Sequence, residues 1–278
     1  MEEGAVEEEA GPIYDETLEE DYEESNEGGA LVGEASRRRS RPKVTYLTDC
    51  KTDGWIDGTT YVLKNSITTV SSACFRIDQG KDITLNCNTK LIDGMGRSNT
   101  AFWIGNSEGI TIKHCPVRNF KSNALVVDLS KNVLITNNVF ESSKGGIMSR
   151  AMGDYTVARN NVFKQNTIRQ NSGYGISLHN TRGYILENNL ISNNIGGIHI
   201  QHNTKDINVR RNSIFANEKG IYFTVGSKDS IVTDNKLLNN EVDVYCDSKK
   251  TQYHGLPTFT ATNNQFTKVS GCPKGSFN

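Results

Sequence analysis

The chain has 278 residues, of which 35% are hydrophobic and 23% charged, with a formal net charge of −1 at neutral pH. It holds no run of 18 apolar residues, which excludes a transmembrane helix. Met1 is followed by Glu2 and Glu3 where a signal peptide needs a basic and then an apolar stretch, so no leader is visible; the protein is either cytosolic or begins after a removed signal.

The near-neutral total conceals two halves of opposite sign. Met1–Ser36 carries fourteen acidic residues and no Lys or Arg, and Arg37–Lys43 (RRRSRPK) is a basic cluster. Val44–Asn278 then holds 26 Lys and Arg against 18 Asp and Glu. With few apolar groups and no helical or strand period, residues 1–43 read as a disordered acidic arm ending in that cluster. A basic body behind an acidic arm suits an anionic partner, an arm that folds back over the body, or simply a solvated tail. Residues 44–73 contain short β-rich runs, VTYL and TYVL, broken by Gly54, Gly58 and Asn65. They read as an N-terminal cap over an open sheet edge.

From Cys74 to about residue 250 the chain repeats itself. Each unit has a short alternating apolar strand, a turn with a basic residue, a second alternating strand, and then Asn-x-apolar. The Asn recurs at Asn137, Asn160, Asn188, Asn212 and Asn235, in steps of 23, 28, 24 and 23. The strand opener recurs at Leu125, Ile147, Ile176, Ile198 and Ile221, in steps of 22, 29, 22 and 23. Period-two alternation rich in Ile, Val, Tyr and Thr and punctuated by Gly, Asn and Asp makes stacked strands rather than helices. A leucine-rich horseshoe has a similar period but needs a fixed LxxLxL, which is missing. The expected fold is therefore all-β, a single right-handed parallel β-helix of about seven or eight rungs. Its recurrent Asn is expected at an inward turn, with amides hydrogen-bonding along the axis. Residues 251–278 read as a last rung and C-terminal cap.

Six cysteines lie at the two ends of the repeat. Cys50 and Cys74 flank the first strand region, while Cys87 and Cys115 are 28 apart and Cys246 and Cys272 are 26 apart, each about one repeat. Rungs ~4.8 Å apart bring such pairs within disulfide reach. The expectation is staples formed in an oxidising compartment, with a ladder of buried thiols as the competing reading.

The rungs ITNNVFESSKGGI (Ile135–Ile147), ILENNLISNNIGGI (Ile185–Ile198) and VRRNSIFANEKGI (Val209–Ile221) resemble right-handed parallel β-helix repeats. The resemblance is to the NosD-like group of carbohydrate-binding and sugar-hydrolase repeats. It covers about Cys74–Phe266 and speaks to fold more than to function. It implies an extracellular, periplasmic or cell-surface protein that binds, or modifies, polysaccharide. NosD-like proteins are also linked with copper.

Aligning the rungs assigns faces. One outward column reads Trp103, Val126, Met148, Ser177, His199, Tyr222, Tyr245, and the next reads Gly105, Asp128, Arg150, His179, Gln201, Thr224, Asp247. Two rungs run about five residues long, with the extra length read at Met95–Thr100 and Asn166–Tyr174, which puts Arg97 and Arg169 on the rims of a groove. In β-helix enzymes that act on uronates an Arg neutralises the substrate carboxylate and a His or Asp moves a proton. Here Arg150 takes the first role, His179 the second, and Asp128 orients or assists it. Trp103, His199, Tyr222 and Tyr245 supply rings and contacts for sugars. The competing view is that any solvent-facing sheet must carry polar residues.

Four readings stand: a module that binds acidic glycans, a uronate epimerase, lyase or glycoside hydrolase, a structural or adhesion protein without catalysis, and, from the resemblance, a NosD-like metal-associated periplasmic protein. His179, His199 and His202 are close, but no matching Cys, Met or carboxylate set surrounds them, so neither metal nor other cofactor is expected. A basic turn column, Lys131, Arg182, Lys205 and Lys228, fits anionic glycans or lipid head groups. It lacks the aromatic interleaving that nucleic acid requires.

Overall fold

The computed structural model describes residues 43–151, 158–249 and 255–277. The chain divides into units 1–40 and 41–278, and the description concerns the second; the expected arm, apart from Lys43, lies outside the described residues. The described secondary structure is strand, with no helix.

Each turn lays down three short strands. One runs Thr111–Lys113, Pro116–Arg118 and Asn123–Asp128. Each pairs in parallel with its equivalent one turn later, through Ile112 to Ile135, Val117 to Phe140 and Leu125 to Ile147. The three stacks are sheet I with ten strands, sheet II with eight and sheet III with nine. The solenoid thus has about nine turns, slightly more than the repeat alone indicates. Thr59–Leu63, Ile67–Thr68 and Ala73–Asp78 already make a full turn before the regular pattern, and Phe259–Thr262 and Val269–Ser270 extend sheets I and III after it.

The alternation explains the core. In sheet III the column Phe102, Leu125, Ile147, Ile176, Ile198, Ile221, Val244 points inward, each residue no more than 2% exposed. Each such burial contributes roughly 1.5–3 kcal/mol. The corners are made by left-handed residues, mostly Asn, Asp and Gln, which bear that conformation at less cost than branched side chains.

The asparagine ladder exists, and Asn212 and Asn235 stand in it as the sequence indicates, but the other three positions read in the sequence do not. Asn137, Asn160 and Asn188 are exposed corner residues with φ of 55°, 56° and 54°. The inward amides between sheets I and II are Asn138, Asn166, Asn189, Asn212 and Asn235, all buried, and the half-buried Asn264. Each Nδ2 donates to the next Oδ1 at 3.0, 3.0, 3.0, 2.9 and 2.9 Å. A left-handed corner needs one outward residue and then one inward, so N-N pairs supply both. A second ladder, Asn171, Asn194, Asn217 and Asn240, lines the corner between sheets II and III. It ends on Asp243, whose buried carboxylate accepts the Asn240 amide at 2.9 Å and the backbone N–H groups of Thr267 and Lys268 at 2.8 and 3.0 Å.

All six cysteines are paired: Cys50–Cys74, Cys87–Cys115 and Cys246–Cys272, with Cα separations of 4.7, 4.8 and 4.7 Å, the rung spacing itself. One loop placement is corrected. Asn166–Tyr174 does not bulge, because Thr167–Arg169 is a regular strand of sheet II. The added length of that rung falls between Arg150 and Val162, after the sheet III strand, and residues 152–157 lie outside the described residues.

Candidate functional site

Sheet III presents both outward columns in the expected register. Trp103, Val126, Met148, Ser177, His199, Tyr222 and Tyr245 are successive partners, and so are Gly105, Asp128, Arg150 and His179. Register settles which residues are neighbours. Side-chain partners differ from the expected trio.

Asp128 pairs with Arg150, not with His179. The Arg150 Nε and Nη2 donate to Asp128 Oδ2 at 3.3 and 3.2 Å, and Asp128 Oδ1 is buried with no partner among the described residues. His179 faces His202 instead, with 2.8 Å between their Nε2 atoms. Burial holds the His179 imidazole below its ordinary pKa, helped by the positive potentials of His202 and Arg150. A neutral imidazole at physiological pH is a competent proton acceptor.

His199 belongs to a lane of rings. It lies between Tyr174, at 4.3 Å between centroids, and Tyr222, stacked at 4.4 Å with 4° between planes. Tyr222 continues to Tyr245 at 5.2 Å, and Lys219 Nζ sits over both rings at 4.4 and 4.5 Å. Only 9% of His199 is exposed and neither ring nitrogen has a partner among the described residues. Burial, reinforced by Lys219, lowers its pKa to about 3. The Tyr222 hydroxyl donates to Asp247 Oδ1 at 3.0 Å, and burial together with that carboxylate raises its pKa.

Tyr174 was not among the candidate residues of the sequence, since it precedes the strand opener. Its signal is Gly196, its register partner on the next turn: a Cβ there would lie 2.3 Å from Tyr174 Cδ1. The bare glycine lets the ring lie flat across the rung. Gly105 does the same for Trp103, and the Arg76 guanidinium lies over that ring at 4.1 Å. Val126, Met148 and Ser177 separate Trp103 from the His199 lane.

The two rim arginines part company. Arg97 sits in the corner Gly94–Asn99 before Thr100–Gly105, beside sheet III. Arg169 lies on the outer face of sheet II, tied to Glu141 at 2.8 Å, and borders no groove on sheet III.

A family model described as "Periplasmic copper-binding protein (NosD)" matches residues 52–271. No curated protein matches the sequence significantly. Among solved structures, the chain is similar to a periplasmic alginate epimerase, AlgG, with TM-score 0.57 and 16% identity over 76% of this chain and 50% of that one. It is similar to an alginate lyase from Paenibacillus sp. str. FPU-7, with TM-score 0.60 and 14% identity over 86% and 94%. It is also similar to the pectate lyase Bsp165PelA from Bacillus sp. N165, solved with trigalacturonate, with TM-score 0.59 and 14% identity over 86% and 85%. The chain spans about half the length of the alginate epimerase, and identities this low establish the fold.

The matching description raises copper, and the donors of the described residues do not fit it. No group of three or more His, Cys, Asp or Glu converges there, and the six cysteines are all disulfides. His179 and His202 bond each other, and His199 is walled in by rings. Soft or imidazole-rich ligand sets are what copper selects.

Proposed function

Because the chain belongs to the NosD family, whose model spans residues 52–271, we propose that sheet III is a binding face for acidic polysaccharide in an extracellular or periplasmic setting. The ring lane carries this reading. Tyr174, His199, Tyr222 and Tyr245 run along four turns with Lys219 over two of them. Such a lane offers the half-exposed apolar edges of its stacked tyrosine rings to sugar C–H groups, and a cation beside them offers charge to carboxylates. Arg150 is two-fifths exposed despite its bond to Asp128, so it keeps donor capacity toward a uronate. Three disulfides agree with an oxidising compartment. Fold neighbours whose names state action on alginate and pectate support the same ligand class.

The His179–His202 pair favours a second reading, uronate modification. Arg150 bound to a substrate carboxylate lowers the pKa of the C5–H, and neutral His179 accepts that proton. Return of a proton to the opposite face gives the epimer; expulsion of the 4-linked sugar gives an unsaturated end. Asp128 positions Arg150 in this scheme.

Calorimetric titration with oligogalacturonate and oligomannuronate tests the binding reading. Wild type is expected to bind at least one, with Tyr222→Ala and Arg150→Gln each weakening it about tenfold, or ~1.4 kcal/mol. No binding of either uronate by the wild type overturns it. Deuterium uptake at C5 and absorbance of unsaturated ends, in wild type against His179→Asn, separate modification from binding alone.

A further inference from the structure

The second asparagine ladder stops before the N-terminal end of the solenoid, and a pocket opens where it stops. Asn171 is its first amide; one turn earlier the position is Ser143, whose N–H donates to Asn171 Oδ1 at 3.0 Å, and one turn before that it is Phe120, whose N–H donates to Ser143 Oγ at 3.0 Å. The pocket there has a volume of about 410 Å³, with Phe120 as floor and Lys121, Ser142, Lys144, Gln170 and Ser172 around it.

Lys121 and Lys144 stand side by side on adjacent turns, since Lys144 N–H donates to Phe120 O at 3.1 Å. Among the described residues neither ammonium has an ion-pair or hydrogen-bond partner. Their neighbours on the outer face of sheet II are neutralised: Arg118 meets Asp93 at 2.8 Å and Arg169 meets Glu141 at 2.8 Å. No carboxylate lines the pocket, and the hydroxyls of Ser142 and Ser172 and the carboxamide of Gln170 have no partner among the described residues. With their backbones one rung apart, ~4.8 Å, the two flexible side chains can bring both ammonium groups to a single oxyanion, one oxygen to each.

We propose that this corner is a subsite for an anionic substituent, a carboxylate or sulfate ester, of a glycan lying against the edge of sheet III. In its choice of ligand the proposal rests on the glycan-binding reading; as an anion site it stands apart from it. Lys121 and Lys144 hold the oxyanion, and Ser142, Ser172 and Gln170 take its remaining oxygens and the adjoining sugar hydroxyls.

The full chain, labelled with nitrogen-15, is titrated with inorganic sulfate and then with carboxylated, sulfated and neutral galactan oligomers of equal length. Saturable amide shifts confined to residues 120–121, 142–144 and 170–172 are expected, lost in Lys121→Gln/Lys144→Gln and kept in Lys113→Gln/Lys164→Gln, which removes the same charge from the outer face of sheet I. Unsaturable shifts, or shifts spread alike over Lys113 and Lys164, overturn the proposal. The first double variant is expected to bind the acidic oligomers about tenfold more weakly and the neutral one unchanged; equal affinity for the acidic oligomers overturns the subsite while leaving the ring lane standing. Sulfate saturating at the corner with no oligomer bound keeps the anion site and overturns its assignment to a glycan substituent, while the uronate titration above decides the sheet III reading separately.

Discussion

His179 Nε2 and His202 Nε2 approach to 2.8 Å across adjacent turns. One imidazole donates the hydrogen of that contact and the other accepts it, so protonating both places two cations in contact. Burial already holds His179 below its ordinary pKa, with His202 and Arg150 adding to the effect. Replacing His202 with Ala removes one of these causes, so the His179 pKa is expected to rise toward 6.5. Nitrogen-15 chemical shifts of the imidazole measured against pH read this directly; an unchanged His179 titration counts against the coupling.

His199 makes the fold sensitive to acid. Its pKa is about 3 in the folded chain and 6.5 as the ordinary value. Between those pH values the unfolded chain binds a proton that the folded chain refuses, so the contribution of this group is fully present above pH 6.5 and declines as pH falls toward 3. The slope is at most ~1.4 kcal/mol per pH unit. His199→Phe keeps a ring between Tyr174 and Tyr222 and is expected to flatten the wild-type loss between about pH 6.5 and 5, before carboxylates dominate. Urea denaturation at several pH values gives both curves; parallel curves would refute the assignment.

The ladder predicts a contrast between two kinds of asparagine. Asn212 Nδ2 donates to Asn235 Oδ1 and Leu186 O, both at 2.9 Å, and its Oδ1 accepts from the Asn189 backbone and side chain at 2.9 and 3.0 Å. Asn212→Ala leaves several buried polar groups without partners, at about 1–3 kcal/mol each before relaxation, for a loss of about 3–5 kcal/mol. Asn137 is exposed and needed for its left-handed φ of 55°, so Asn137→Ala is expected to lose only about 1 kcal/mol. Thermal or urea unfolding compares them, and equal losses would place the ladder wrongly.

These asparagines also mark how far the sequence reaches. Period-two alternation fixes which way Leu125 or Ile176 points, because a strand has two faces and only one is apolar. The sheets, the stacking of Asp128, Arg150 and His179, and the cysteine pairs all follow from that periodicity. An N-N pair does not say which amide turns inward; that depends on where the chain bends. Rung length is likewise visible while the bend that absorbs it is not, so the length added after Arg150 reads in the sequence as a loop over Asn166–Tyr174, where the chain in fact forms the strand Thr167–Arg169. Register, finally, leaves rotamers open. It set Asp128 between Gly105 and Arg150, and only side-chain packing gave Arg150 to Asp128 and His202 to His179.

Gly196 offers the sharpest test of the ring lane. A Cβ there would stand 2.3 and 2.4 Å from two atoms of the Tyr174 ring, so Gly196→Ala must push that ring off the turn it crosses. Overpacking of this kind costs about 1–3 kcal/mol. His199 then loses one of its two covering rings, and with less burial its pKa is expected to climb from about 3 toward the ordinary range. Gly255→Ala is the matched control, because among the described residues no atom beyond its chain neighbours lies within 4 Å of the Cβ it would add. Unfolding free energies and the His199 imidazole titration of both variants supply the readouts. If Gly196→Ala leaves the His199 titration where it was, Tyr174 is not what shields the imidazole. The acid sensitivity must then come from Tyr222 and the packing beneath it.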